Sequence, residues 1–331
     1  MKLLCSIGLI ASLFGLLACG GGEQAAPNTK DLSKEPLVRL GAYNGDTASL
    51  VLYANEHQLY AGEQANVQVK MYQSGKAATD ALLDGQVDIA TAAEFVVAKQ
   101  AFRHDNLRVI AAIARGTPNY LLVNNQRIGN YPEQLYQRRF GVVVGSASEF
   151  YLAQHLERLG YDIRKDVSIV DQKPKDLVQA YLNEEIDALA LWNPHIFRLK
   201  EAMPDKSQQF PLNNTQDMFF VLVTTEEWLA KNGEQVDKLL KALLKAEQAL
   251  QGPDLASWLT ERFELSKAYI AFNERHQKFG LSLNNALIRA IETEKEWLQQ
   301  TLFTNLGMPD CAQLIQDEHM RRIAPGKVNI N

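Results

Sequence analysis

Cysteine is scarce: the 331 residues contain three, at positions 5, 19 and 311. If the first two leave or are modified with the N-terminal segment, Cys311 alone can form neither an internal disulfide nor a multi-cysteine zinc site. Stability must then come from a packed core. A 46% hydrophobic composition over roughly 300 mature residues can supply one, organised as two domains. Long apolar runs are missing after the first nineteen residues, so no later stretch is expected to span a bilayer. Basic excess is missing too. Lys and Arg number 34 against 39 Asp and Glu, for a net charge of −5, which argues against nucleic acid as a partner. The sequence has no HExxH, GxSxG or GxxxxGK[ST] motif, and its six histidines (57, 104, 155, 195, 276 and 319) are scattered. A binding protein is therefore expected rather than an enzyme, with no cofactor and no metal.

What is present starts at the first residue. Lys2 precedes an apolar stretch over 3–17, the pattern of a secretory signal with a hydrophobic region too short to span comfortably. Leu16-Leu17-Ala18-Cys19 resembles the lipobox of bacterial lipoprotein signals, in which cleavage precedes the cysteine. The expectation is a signal peptide over 1–18 and a lipid on Cys19 that holds the chain at a membrane, facing the periplasm or cell exterior. An ordinary signal peptide with an incidental cysteine is the competing reading. Residues 19–36, glycine-rich and polar, read as a flexible tether reaching on the order of 20–25 Å.

From residue 38 short apolar strands alternate with helical patterns. Strands are expected at 38–43, 67–71, 88–90, 108–114 and 120–123, then at 140–144, 167–170 and 187–191. Helices are expected at 48–59, 76–83, 93–102, 148–159 and 174–183. This alternation predicts mostly parallel sheets covered by helices. The two series also match one another. Arg39, Gly41, Gly45, Leu52, Leu59 and Val67 recur 100 residues on as Arg139, Gly141, Gly145, Leu152, Leu159 and Val167. Gln73, Lys76, Ala81, Leu83 and Asp88 recur 99 residues on as Gln172, Lys175, Ala180, Leu182 and Asp187. Two similar three-layer α/β lobes follow, each presenting the loops at the carboxyl ends of its strands to a shared cleft.

Those loops carry the candidate binding residues: Asn44, Asp46 and Thr47 after the first strand, Ser74 and Gly75 after the second, Thr91 and Glu94 after the third, and Gly145, Ser146 and Ser148 in the second series. Helix starts offer unpaired amides and the positive end of a dipole, which suits sulfonate, carboxylate, phosphate or nitrate groups. The competing reading is plain capping: Thr91-x-x-Glu94, Ser146-x-x-Glu149 and Thr224-x-x-Glu227 all match the capping box. A carboxylate of Glu94 or Glu149 pointing into the cleft would instead favour an amine, and a zwitterion would satisfy both tendencies. Trp192 and Asn193 end a strand where an indole can wall a pocket, and Arg115 can pair with an anion.

Taken together, Ser74-Gly75, the run 83–90 (LDGQVDIA), Gly141-Val142 through Gly145-Ser146, and 185–188 (EIDA) followed by Trp192-x-Pro194-His195 resemble the substrate-binding proteins of nitrate, sulfonate, taurine and thiamine-precursor ABC importers. Where that family commonly has Trp-Glu-Pro, this chain has Trp192-Asn193-Pro194, which removes a carboxylate. The resemblance implies a periplasmic-binding-protein fold of type II: one lobe from residues 37–123 plus 217–331, the other from 126–212, with two crossover segments between. It further implies a monomer that captures a small anionic or zwitterionic solute and delivers it to an ABC permease with its ATPase. The alternatives are an aminopyrimidine or other amine, a ligand sensor, or an enzyme on the same scaffold. Beyond residue 217, a strand over 219–224 should return to the first lobe, followed by helices at 236–250, 256–263 and 283–306.

Overall fold

The computed structural model describes residues 32–129, 131–213 and 216–330. Its strands, in chain order, are β1 (Leu37–Tyr43), β2 (Asn66–Tyr72), β3 (Ile89–Ala93), β4 (Leu107–Gly116), β5 (Asn119–Asn124), β6 (Arg139–Val142), β7 (Ser168–Asp171), β8 (Ala188–Trp192), β9 (Ser207–Pro211), β10 (Met218–Thr225), β11 (Gln277–Asn284) and β12 (Val328–Asn329). The helices between them are α1 (Ser49–Glu56), α2 (Leu59–Gly62), α3 (Gly75–Leu83), α4 (Glu94–Ala101), α5 (Ala147–Arg158), α6 (Pro174–Leu182) and α7 (His195–Ala202). A C-terminal series follows: α8 (Glu226–Ala249), α9 (Gly252–Phe263), α10 (Lys267–His276), α11 (Asn285–Thr301), α12 (Cys311–Leu314) and α13 (Glu318–Ile323).

Two sheets result, ordered β12-β11-β4-β10-β3-β1-β2 and β7-β6-β8-β5-β9. The five strands β2-β1-β3-β10-β4 of the first match β7-β6-β8-β5-β9 of the second position by position. In each, the first three are parallel and the fourth runs antiparallel to both neighbours. The residues that recur in the sequence perform the same task in each lobe. The Arg39 amide donates to Asp88 Oδ2 at 2.7 Å and the Arg139 amide to Asp187 Oδ2 at 2.8 Å. Asp88 and Asp187 return their own amides to the carbonyls of Arg39 and Arg139. This reciprocal clip pairs both amides at the end of the strand pair where ladder bonds run out. Helices cover the sheets, as the near-continuous apolar runs of β3, β4 and β10 require, because a strand buried on both faces has no polar side to expose.

Four expectations change. The sheets are mixed rather than mostly parallel, with five of the ten strand pairings among the described residues antiparallel, because β10 and β5 cross over from the opposite lobe and insert against the strand direction. The strand expected over 120–123 in the first lobe is β5, which pairs with β8 and β9 and so belongs to the second sheet. The first crossover therefore falls at Thr117-Pro118, not near residue 124. A rise of one strand in a continuous apolar stretch cannot say which sheet it joins, since both are equally buried. Residues 32–36, expected to belong to the tether, are folded, and the rest of the expected tether lies outside the described residues. Leu32–Lys34 forms a short 3-10 turn, and Glu35 pairs with Lys238 of α8 at 2.7 Å. β9, β11 and β12 were not foreseen. The expected signal peptide and the lipidation of Cys19 lie outside the described residues. Among the described residues no helix is long and apolar enough to cross a membrane.

Candidate functional site

The carboxyl ends of β1, β2, β3, β8 and the start of β10 converge on a cavity of about 40 Å³ between the two sheets. The first lobe contributes Tyr43, Thr47, Ser74, Gly75, Lys76, Ala93, Val96, Met218 and Phe220. The second contributes Asn119, Ser146, Ala147 and Trp192, and Pro118 lines it from the crossover. At about 10–15 Å³ per water-sized body, the space takes a compact head group rather than an extended molecule. It adjoins a wider cleft of about 550 Å³ that shares Ser74 and Lys76 and continues past Gln73, Asp171 and Lys173.

Two helices of opposite lobes begin at this cavity. α3 starts at Gly75, with Ser74 as its N-cap accepting from the Ala77 amide at 3.1 Å. A side chain on Gly75 would lie 2.7 Å from Ala92 Cα, so glycine is what lets α3 start this close to β3. α5 starts at Ala147, after Gly145 at φ +86°. The first amides of each helix have no intrahelical acceptor, and both dipoles present their positive ends to the same space. Lys76 and Lys99 of the first lobe lie over Gly145: a Cβ there would be 3.2 Å from Lys76 Cε and from Lys99 Nζ.

The lobes touch around the cavity. Trp192 Nε1, at the end of β8, donates to the Tyr43 hydroxyl at the end of β1, at 2.8 Å, and their rings meet edge to face at 6.2 Å. Asn119 of the second lobe donates its Nδ2 to Met218 Sδ of the first at 3.5 Å, while its Oδ1 accepts from the Ser148 hydroxyl of its own lobe at 2.7 Å. Thr47 lines the cavity with a buried hydroxyl that has no partner. Beside it Asp46 is buried, accepts from the Tyr269 hydroxyl at 2.5 Å, and leaves Oδ1 unpaired. Burial pushes its carboxyl up to about 6, against the opposing hydrogen bonds from Tyr269 and from backbone amides. Among the described residues no carboxylate lines the cavity itself.

Of the expected site residues, Thr47, Ser74, Gly75, Ser146 and Trp192 line the cavity, with Asp46, Gly145 and Ser148 immediately behind it. The others do different work. Thr91 lies inside β3 and accepts from the Tyr43 amide at 2.8 Å, so the box with Glu94 does not form. Glu94 turns away and accepts from the Phe219 amide at 2.8 Å. Glu149 accepts from the Gly145 amide at 2.6 Å and lies 3.8 Å from Lys99, so it too is engaged, by a route one residue off the capping box. Ser146 holds its own turn, donating to the Val143 carbonyl at 2.7 Å. In the third box Thr225, not Thr224, caps α8. Asn44 accepts from Arg262 at 3.2 Å on the exposed side. Asn193 accepts from the Phe197 amide at 3.2 Å at the start of α7. Arg115 sits half-exposed on β4, paired with Asp217 at 2.8 Å. Tyr43, Lys76, Asn119, Met218, Phe220 and Tyr269 were not foreseen. Only a place at a strand end, or for Lys76 at a helix start, marks them in the sequence, and for Tyr269, on the distant α10, nothing does.

Two look-alike α/β lobes with helix starts aimed into a shared crevice define the class: a clamp of the periplasmic-binding-protein type II fold. Solved structures show the same fold. The alkanesulfonate-binding protein of Xanthomonas axonopodis pv. citri aligns with a TM-score of 0.69 at 15% identity, covering 88% of this chain and 97% of that one. The aliphatic sulphonate-binding protein of Escherichia coli gives 0.67 at 16% identity over 85% and 92%. The nitrate-binding protein of Synechocystis PCC 6803 gives 0.66 at 13% over 88% of each. The family model described as NMT1/THI5 like matches residues 47–256, more than half of the chain, which belongs to that family. Binding proteins of Brucella abortus and Brucella suis are 26% identical over 156 residues, 45% of this chain and 47% of theirs; the chain thus spans about half the length of the curated relatives it matches.

Proposed function

We propose that the protein is the extracytoplasmic solute-binding component of an ABC importer, and that it captures a small anion or a zwitterion with an anionic head, of the sulfonate, taurine or nitrate kind. The observation that carries this reading is the convergence of the α3 and α5 starts, one from each lobe, on one cavity that Lys76 borders and, among the described residues, no carboxylate lines. Helix starts favour anions, and a carboxylate facing them would not. Tyr43, Trp192, Met218 and Phe220 offer an apolar wall to the ligand's body. The sulfonate- and nitrate-binding proteins that share the fold agree with this chemistry. Attachment through a lipid on Cys19, delivery to a membrane permease with its ATPase, and a monomeric state complete the reading.

The mechanism is closure. The ligand bridges both lobes, and the closed form is what the permease engages. Moving an open-to-closed ratio from 99:1 to 1:99 takes about 5.5 kcal/mol of differential binding, within the roughly 8.2 kcal/mol that micromolar affinity represents. Asp46 favours a second reading, since its buried, unpaired Oδ1 beside Thr47 could accept from an amine or aminopyrimidine N–H. A thermal-shift screen against nitrate, taurine, alkylsulfonates, aminopyrimidines and small amines tests both. Stabilisation by anions supports the proposal; stabilisation by amines alone replaces it with the second reading.

A further inference from the structure

Behind the cavity, the junction of α4 and α11 with α5 of the opposite lobe buries charge that nothing balances. The side chains of Glu94 on α4 and Glu294 on α11 have no exposed surface. Glu94 Oε1 is satisfied by the Phe219 amide, but its Oε2 and both carboxylate oxygens of Glu294 have no partner. The hydroxyl of Tyr151 on α5, equally buried, is held above its ordinary range by burial and then by Glu94 and Glu294, and only Gln216, in the crossover back to the first lobe, opposes them with a side-chain contact. The aromatic neighbours of these residues hold the lobes together at this spot: Phe95 stacks on Phe150 at 5.2 Å, and Trp297 meets Phe150 at 5.4 Å.

Nearby charges offer no relief. Lys295, next to Glu294, turns to Glu292 and Cys311. Lys99, at the far end of α4, faces Glu149. Asp217 adds a further negative charge, tied to Arg115. Carboxylates stripped of both water and cations neutralise by taking up protons.

We propose that Glu94 and Glu294 hold an exchangeable proton between them, and that this buried pair, completed by the Tyr151 hydroxyl of the opposite lobe, is a proton-binding site that ties contact between the lobes to external pH. Burial first, then the backbone bonds that oppose it, leaves the Glu94 carboxyl at about 8, and burial together with Glu94 holds Glu294 well above the carboxylate range. As pH rises through that region the proton leaves, two like charges remain in the dry junction, and parting α5 from α4 and α11 is what lets water reach them. Proton binding stands independently of the ligand reading; its link to closure rests on it.

Infrared difference spectra of the ligand-free protein test the site directly. At pH 7 the wild-type chain should show the carbonyl band of a protonated carboxylic acid, diminishing as the pH is raised past about 8, changed in Glu294→Gln and in Glu94→Gln, and missing from the double variant. Either variant suffices if the other fails to fold. Melting temperatures in sodium and in choline buffers complete the test. The wild-type value should fall with pH equally in both, and Glu294→Gln should flatten the fall. Absence of the band at pH 7 would overturn the proposal, and stabilisation by sodium over choline would reassign the pair to a metal cation. A titrating band alongside scattering profiles that ignore pH would overturn the coupling to closure.

Discussion

Removing the Tyr43 hydroxyl isolates one bond that exists only when the lobes meet. In Tyr43→Phe the ring stays in place, edge-on to Trp192 at 6.2 Å and to Phe220 at 5.9 Å, and only the acceptor for Trp192 Nε1 is lost. In an open form both groups would be solvated, so the loss falls on the closed form. A typical hydrogen bond contributes about 0.5–1.5 kcal/mol net. Trp192 is partly exposed, so its stranded N–H can find water, and the larger penalty of a buried unpaired donor does not apply. At 1.4 kcal/mol per tenfold, the dissociation constant for the best-stabilising solute should rise roughly two- to tenfold by calorimetry. Trp192→Phe removes the same bond from the other side and costs more, because it also trims a wall of the cavity. The double variant should be less than additive, since the shared bond can be lost once. Unchanged affinity in Tyr43→Phe, or strict additivity in the pair, would refute the idea that this contact belongs to the ligand-bound state.

Three further outcomes follow from the same geometry. Gly145→Val places a branched side chain at φ +86° and within 3.2 Å of Lys76 and Lys99; it should destabilise the fold by about 1–3 kcal/mol in denaturant titrations and weaken solute binding more than tenfold by obstructing the approach of the lobes. Asp46 is held above its ordinary value, to about 6. The native state therefore keeps a proton that the unfolded chain gives up, and stability falls as pH rises from about 4 to about 6. Asp46→Asn should flatten that segment of the melting-temperature profile. Arg115→Ala breaks a half-exposed pair with Asp217, worth about 0–1 kcal/mol, and should leave affinity unaltered.

Much of this architecture is legible in the residues. The repeated Arg39/Asp88 and Arg139/Asp187 pairs announce two lobes of one plan, because each pair makes the same clip between strands. Helix starts at Ser74-Gly75 and Ser146-Ala147 are visible as small and hydroxyl residues after apolar runs. What stays hidden depends on long-range contact. Thr91 and Glu94 match a capping box as well as Ser146 and Glu149 do, yet β3 extends through Thr91 because β10 pairs alongside it, and Glu94 is drawn to the amide of Phe219. The strand over 120–123 is equally at home in either sheet by its own composition. Tyr269 reaches Asp46 across 223 residues, a separation that local pattern does not convey.

A crystal structure with the most stabilising anion bound tests the central claim most directly. The account predicts the anionic group inside the crevice, within hydrogen-bond distance of amides at the start of α3 and at the start of α5, with Trp192 and Tyr43 closed over it. An anion seated on one lobe alone, or in a groove away from both helix starts, would contradict it.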